Sequence, residues 1–286
     1  MKFLKGLLVT ILLFVILIGG AFVGLNEYTK SKYEIDLFRT IGELTTLTKE
    51  VDESKLCTHA FSNEDMVDVQ QVVNESVENL ITYTIQNGFS VNFNNLPDEM
   101  KSIISLTDKQ VGALAQTVLE QEMGGKISFA GKEIDVELKQ IKFTNATAQC
   151  VSVNTVVAVD LTPFINEIPN EIPFTLFVDK IPQTLYVSST VTIEKGANPF
   201  SYTVESESFS INNLSSSDTA DLFRTIDVIA KVGNAQDWNK QIGEAIANAL
   251  IGNNENKGLA YSLRVIGATT YNFEEVDGVI CFKVLR

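Results

Sequence analysis

DLFRTI occupies residues 36–41, and the same six residues return at 221–226. The hexapeptide is a catalytic motif used twice, a piece of a duplicated domain, or one packing solution reused. In both copies the apolar residues recur at helical spacing: Leu37, Ile41 and Leu44 in the first, Leu222, Ile226 and Ile229 in the second. Ser216, Ser217 and Asp218 supply N-cap candidates for the second helix. A catalytic reading needs Asp36 with Arg39, and Asp221 with Arg224, to act in two separate sites. A packing reading needs only an apolar stripe laid on a similar sheet surface in each half of the chain, and that is the expectation.

Further shared pieces lie outward from the hexapeptide. FSVNFNNLP (89–97) resembles FSINNLS (209–215), and Lys109-Gln110-Val111-Gly112 matches Lys240-Gln241-Ile242-Gly243. Each KQxG tetrapeptide opens an amphipathic helix. Val111, Leu114, Ala115, Val118 and Leu119 line one face of the first; Ile242, Ile246, Ala249 and Leu250 mark a stripe on the second. Thr107 with Gln110 forms a capping-box pattern, and Gly124 and Gly252 are natural helix stops. The order strand, NNL turn, helix, strand thus occurs twice, as a partial internal repeat. A third helix is expected over 64–87, carrying Val69, Val72, Val73, Val77, Leu80 and Ile81, with Ser62 and Asp65 as its cap and Asn87-Gly88 as its end.

The rest of the body reads as strand. In KISFAGKEIDVELKQIKF (126–143), Ile134, Val136 and Leu138 alternate with Glu133, Asp135 and Glu137, the pattern of a half-buried antiparallel strand with an acidic solvated face. AQCVSVNTVVAVDL (148–161) follows. IPFTLFV (172–178) and IPQTLYV (181–187) are near copies, and Asp179-Lys180 between them suggests a hairpin turn, the alternative being one long bent strand. From Leu185, the set Leu185, Val187, Val191 and Ile193 alternates with Tyr186, Ser188, Thr190 and Thr192. Phe200–Ile211 and Val279–Val284 complete the strands. The fold class expected is α+β: a long curved antiparallel sheet wrapping amphipathic helices.

The N-terminus reads MKFLKGLLVTILLFVILIGGAFVGLNEYTK. The 21 residues from Gly6 to Asn26 carry no charge, enough to span a hydrocarbon core of about 30 Å as a helix. Leu7, Leu8, Ile11, Phe14, Ile18 and Phe22 would face lipid. Lys2 and Lys5 precede the run, so the positive-inside rule puts the N-terminus in the cytoplasm and the bulk of the chain outside. The competing reading is a signal peptide cleaved after Ala21, with Gly19 and Ala21 as the small residues, and a secreted product. The expected organisation is a transmembrane signal anchor over 1–26, a helical membrane-proximal segment over 27–87 and an α+β extracytoplasmic domain over 88–286.

Charge narrows the partners. The net charge is −14; without Lys2 and Lys5 the remaining 20 basic and 36 acidic residues give −16. Such a surface repels phosphate backbones and anionic headgroups, so no nucleic-acid partner is expected. Catalytic motifs are sparse. There is one histidine, His59, two residues after Cys57, and a C-x-H pair supplies at most two metal ligands. Phosphate-binding glycine loops, a nucleophile elbow and a calcium loop are all missing from the sequence. Cys57, Cys150 and Cys281 make an odd number, so one pair at most could form. The chain is expected to be no enzyme and to need no cofactor or metal.

The N-terminal anchor, the SLTDKQVGAL helix start (105–114), the IPQTLYVSSTVTI strand (181–193) and the FSINNLS strand leading into a helix resemble membrane-anchored extracytoplasmic proteins of the tubular lipid-binding type from Gram-positive bacteria. The resemblance covers roughly residues 85–286. It implies a strongly curved sheet around a long helix and an apolar groove holding acyl chains, and it carries no catalytic residues. Residues 35–87 fit it least and read as an added helical hairpin near the membrane. Three functions follow as expectations: binding of lipid or another apolar ligand in a groove; a structural or partner-binding role in the cell envelope; and a hydrolase centred on Cys57 and His59.

Overall fold

A computed structural model describes residues 30–31, 36–92, 97–129, 132–165, 182–230, 234–252 and 258–286. In chain order, helices α1 (Leu37–Leu47), α2 (Glu53–Leu56) and α3 (Asn63–Ser76) precede a hairpin of β1 (Ile81–Thr84) and β2 (Gly88–Val91). Strand β3 (Ile104–Thr107) leads into α4 (Asp108–Met123). Strands β4 (Lys126–Phe129), β5 (Lys132–Thr144) and β6 (Cys150–Asp160) follow, then the single turn α5 (Thr162–Ile165), β7 (Thr184–Lys195) and β8 (Tyr202–Ile211). Helices α6 (Ser216–Ala230), α7 (Ala235–Leu250) and α8 (Leu259–Ser262) run into a 3-10 turn, Leu263–Ile266, before β9 (Thr270–Val276) and β10 (Val279–Leu285).

The strands make three antiparallel sheets: the meander β4-β5-β6-β7-β8, the trio β3-β10-β9 and the hairpin β1-β2. The described residues therefore define a mixed α+β protein with antiparallel sheets and several helices. The Gly6–Asn26 run, with Leu7, Leu8, Ile11, Phe14, Ile18 and Phe22, lies outside them, as do the IPFTLFV segment and the Asp179-Lys180 turn. Among the described residues no helix is long and apolar enough to cross a membrane.

Alternation governs the meander as the sequence implies. Leu185, Val191 and Ile193 are buried on β7, while Glu133, Asp135 and Glu137 of β5 are exposed. Bulges interrupt the register between Leu138 and Gln140, and between Thr190 and Val191 opposite β8; each adds a residue and bends its strand. Beyond β4, the outer edge of β5 has no strand partner among the described residues. Its N–H groups are met instead by α4 and its end. Gln116 Oε1 accepts from Leu138 N at 2.7 Å, Asp108 Oδ2 from Phe143 N at 3.2 Å, and the Gly125 carbonyl from Val136 N at 2.8 Å.

Helix α7 lies across the inner face of the meander, and its contact line is made of small residues. Ala235, Asn239, Gly243, Ala247 and Leu250 are buried; Ile242 and Ile246 flank the line partly buried, and Ala249 is exposed. The stripe read from the sequence is thus rotated by about one residue. Gly243 explains why: a Cβ there would sit 2.7 Å from Val204 Cγ1 and 2.9 Å from both methyls of Val191. Only a residue without a side chain lets the helix come this close. The matching glycine of the other KQxG segment, Gly112, has the same role toward a different partner, the Phe61 ring.

Two apolar cores sit on this face. The larger joins α3, α4, the β3-β10-β9 sheet and one half of the meander, with Val69, Val73, Met100, Ile104, Val153, Val191 and Phe282 at 0% exposure. The smaller joins Leu47, Ile134, Val159, Leu185, Phe209, Ile211, Leu222 and Phe223 at the other end. Between them runs a polar seam. Asn239, fully buried, accepts from the Ser189 hydroxyl; its Nδ2 donates to the Thr190 carbonyl at 2.9 Å, to Ser206 Oγ at 2.8 Å and to the Ser208 carbonyl at 2.9 Å. These carbonyls flank the β7-β8 bulge, which the asparagine side chain closes.

The helices begin and end largely where local chemistry dictates. Ser62 with Asp65 and Thr107 with Gln110 form full capping boxes, and Gly124 stops α4 in the left-handed region at φ 62°. The helix expected over 64–87 stops at Ser76, and Ile81 belongs to β1 instead. Asn79 turns the chain at φ 57°, and Asn74 fixes the return by pairing with both the N–H and the carbonyl of Ile81. Helix α6 takes Ser215 as its cap rather than Ser216, Ser217 or Asp218, since Ser215 Oγ accepts from Asp218 N at 3.2 Å.

Candidate functional site

The two hexapeptides meet. Helix α1, carrying the first DLFRTI, packs on α6, carrying the second, rather than on a sheet surface of its own. The buried line of α1 is Thr40, Glu43 and Leu47; Ile41 and Leu44 are only partly buried. Arg39 reaches across to Asp221, to Asp218 at 3.4 Å and along its own helix to Glu43 at 3.0 Å. Arg224 of the second copy pairs with Asp221 within its own helix at 3.1 Å. Asp36 caps α1 by accepting from Arg39 N. The paired aspartates and arginines thus build one docking cluster, not two sites.

Glu43 is 5% exposed, and its Oε1 has charge contact with Arg39 but no hydrogen bond. Burial pushes its carboxyl above the ordinary range; Arg39 pulls it down, and Asp221 and Asp218 push it further up. The last carbonyl of α1 and two just beyond the helix are satisfied by the NNL segment after β8. Asn212 Nδ2 donates to the Leu47 carbonyl at 2.9 Å, and Asn213 Nδ2 to those of Lys49 and Glu50 at 3.0 and 3.2 Å. Asn212 stands at φ 49°, which asparagine tolerates better than most residues. The other NNL lies outside the described residues.

The end of the meander beneath α1 and α6 holds the smaller of the two apolar cores. Around the smaller core, Leu44, Val136, Val157, Val187, Trp238 and Ile242 are all only partly buried. The single tryptophan therefore borders this region. Along α7 the seam is shut, with Gly243 against Val191 and Val204, and with Asn239 plugged into the bulge. The continuous groove expected between sheet and helix is absent there.

Cys57 and His59 lie on the opposite face of the meander, where residues 49–62 cross it. Tyr186 Oη donates to Glu53 Oε2 at 2.7 Å, and Lys139 bridges Glu53 at 3.4 Å and Glu137 at 2.7 Å. Burial, then the Glu53 carboxylate, raises the Cys57 thiol, the direction opposite to an activated nucleophile. Tyr186 is pushed up to about 12 by burial and by its bond to Glu53. His59 Nε2 lies 2.8 Å from Asp108 Oδ1, and the His59 N–H donates to Gln140 Oε1 at 2.8 Å. Asp108 is buried and also serves Phe143 N, so His59 belongs to the structure that pins α4 to β5. The sequence reading missed this pair, which spans 49 residues. All three cysteines are free thiols, and no group of three or more His, Cys, Asp or Glu among the described residues could hold a metal ion.

No family model matches the chain, and no curated protein matches it. Among solved structures, the crystal structure of a lipopolysaccharide binding protein matches with 9% identity and a TM-score of 0.20, over 68% of this chain and 45% of that one. The match thus spans less than half of that protein. A TM-score this low does not establish a shared fold.

Proposed function

We propose that the chain is a membrane-tethered extracytoplasmic domain, without catalytic activity, that binds an apolar ligand such as a lipid acyl chain. The observation that carries this reading is the set of six partly buried apolar side chains against the smaller core, at the end of the meander where α1 docks. Helix α1 stands only about ten residues along the chain from the uncharged Gly6–Asn26 run, which puts this end within short reach of the proposed tether. Each methylene taken up would contribute about 0.8 kcal/mol. The net charge of −16 beyond the first 25 residues keeps the domain from clinging to anionic headgroups, so the tether supplies proximity.

Trp238 provides the test, because it is the only tryptophan and borders the site. A fatty acid brominated along its chain should quench Trp238 fluorescence in the purified full chain, and Ile242→Glu should abolish the quenching. Organic extraction followed by mass spectrometry should release co-purified lipid. A clean extract with unquenched fluorescence would leave the second reading, a partner-binding or structural envelope protein. The closed seam along α7 favours that reading.

A further inference from the structure

A second cleft lies at the far tip of the meander. The turn between β7 and β8 (196–201) faces α8, the 3-10 turn and the start of β9 across a space of about 480 Å³, lined by Asn198, Phe200, Ser201, Tyr261, Arg264 and Thr269 among others. Tyr261 and Phe200 meet edge to face with centroids 5.8 Å apart, and the Arg264 guanidinium lies 4.2 Å from the Tyr261 ring centroid.

Arg264 differs from every other arginine of the chain. There are four. Arg39 pairs with Asp218, Asp221 and Glu43, Arg224 with Asp221, and Arg286 with Glu99. Arg264 has no carboxylate partner among the described residues, although acidic residues outnumber basic ones 36 to 22. Arg264 is exposed while it stacks on Tyr261, and a stacked guanidinium keeps the planar fork with which arginine takes a carboxylate or phosphate by two parallel hydrogen bonds. Across the cleft, the Asn198 carboxamide is likewise unengaged among the described residues, while its backbone N–H donates to Ser201 Oγ at 2.9 Å.

Both walls are fixed before any ligand arrives. The 3-10 turn is anchored by Leu263 and Ile266, at 0% and 4% exposure, and by bonds from Ala268 N to the Leu263 carbonyl and from Met100 N to the Ile266 carbonyl. The opposite wall is held by Thr270 Oγ1 donating to the Pro199 carbonyl at 3.2 Å and Tyr271 Oη to the Ser201 carbonyl at 2.9 Å. We infer that this cleft binds the oxyanion, carboxylate or phosphate, of a soluble ligand. Arg264 takes the charge, Asn198 contributes a further hydrogen bond, and Phe200 covers the ligand's apolar part.

The ligand's source follows from position. Strand β7 runs for 12 residues from the α1 end to this turn. At about 3.3 Å per residue the cleft is roughly 40 Å from the end where α1 docks. With the α1 end held at the membrane, as the proposed tether implies, a headgroup does not reach the cleft; a free anion does. The anion site is independent of acyl-chain binding at the other end, while its soluble source rests on the proposed tether.

The experiment uses the full chain reconstituted into vesicles of zwitterionic phosphatidylcholine, with equilibrium binding of inorganic phosphate and of benzoate at matched ionic strength. We expect saturable binding that weakens at least about tenfold in Arg264→Gln, the loss of a charge-assisted pair. Arg264→Lys keeps the charge but lacks the planar fork, so it weakens binding too. Arg224→Gln, at the other end, should leave binding unchanged and its circular dichroism should match wild type. Equal binding in wild type and Arg264→Gln, or none in wild type, would overturn the site. Competition from phosphatidylglycerol placed in the same vesicles would overturn the soluble source.

Discussion

Replacing Asn239 with alanine tests the polar seam between the two cores. The substitution removes a side chain whose amide meets four polar partners at a fully buried position, its two N–H groups shared among three acceptors. The Ser189 hydroxyl can rotate to a new acceptor, so its loss is partly recoverable. The carbonyls of Thr190 and Ser208 cannot move without unpicking the bulge, and each buried group left without a donor costs about 1–3 kcal/mol. Truncation also leaves a small void, while alanine regains about 0.5 kcal/mol of helix propensity. The net expectation is a loss of roughly 3–5 kcal/mol, because neighbouring losses do not add fully. Urea unfolding of the full chain in a non-denaturing detergent, followed by circular dichroism, gives the value. Lys240→Ala, one residue along on the exposed side of α7, should change stability by no more than about 0.5 kcal/mol. A loss below about 1 kcal/mol for Asn239→Ala, or equal shifts for the two variants, would refute the role assigned to this asparagine.

Two further outcomes follow from the same geometry. Gly243→Ala should destabilise by about 1–3 kcal/mol despite the better helix former, since stiff valine side chains would have to give way. Gly42→Ala on α1, with nothing within 4 Å of the new Cβ, should instead stabilise by up to about 1 kcal/mol, both read from urea midpoints. Glu43 makes stability depend on pH. Its folded carboxyl titrates above the ordinary 4.5, so the folded state binds the proton more tightly than the unfolded chain. Stability therefore falls as pH rises through the interval from 4.5 up to the raised folded value, and Glu43→Gln should remove that slope. Parallel stability profiles for wild type and Glu43→Gln across this interval would contradict the buried, raised carboxyl.

Features encoded within a few residues were the ones legible in the sequence. The capping boxes of Ser62 with Asp65 and Thr107 with Gln110, the alternation of β7 and the acidic face of β5 each depend on neighbours at fixed spacing. The packing of DLFRTI was legible as helix but not as partner: periodicity shows that a face is covered, not what covers it. The stripes of α1 and α7 came out rotated for a related reason. At a close interface the buried line is made of Asn239, Gly243 and Ala247, which carry no hydrophobic signal, and Glu43 is buried because an arginine from its own helix accompanies it. The helix expected over 64–87 ran too long because Val77, Leu80 and Ile81 continue the apolar pattern, while the turn at Asn79 is secured by Asn74. Of the candidate site, the cluster of Arg39, Glu43, Asp218 and Asp221 could not be read in advance, because it depends on how α1 and α6 meet.

The unpaired edge of β5 has a consequence for how copies of this chain treat one another. An open strand edge is a template on which a second molecule can add its own strand, and repetition of that step leads to fibrils. Crowding at a surface makes such encounters frequent. Here the outward N–H groups of Val136, Leu138 and Phe143 are already committed to the Gly125 carbonyl, Gln116 and Asp108. Asp108 is itself steadied by His59, so the lone histidine helps hold a guard against self-association.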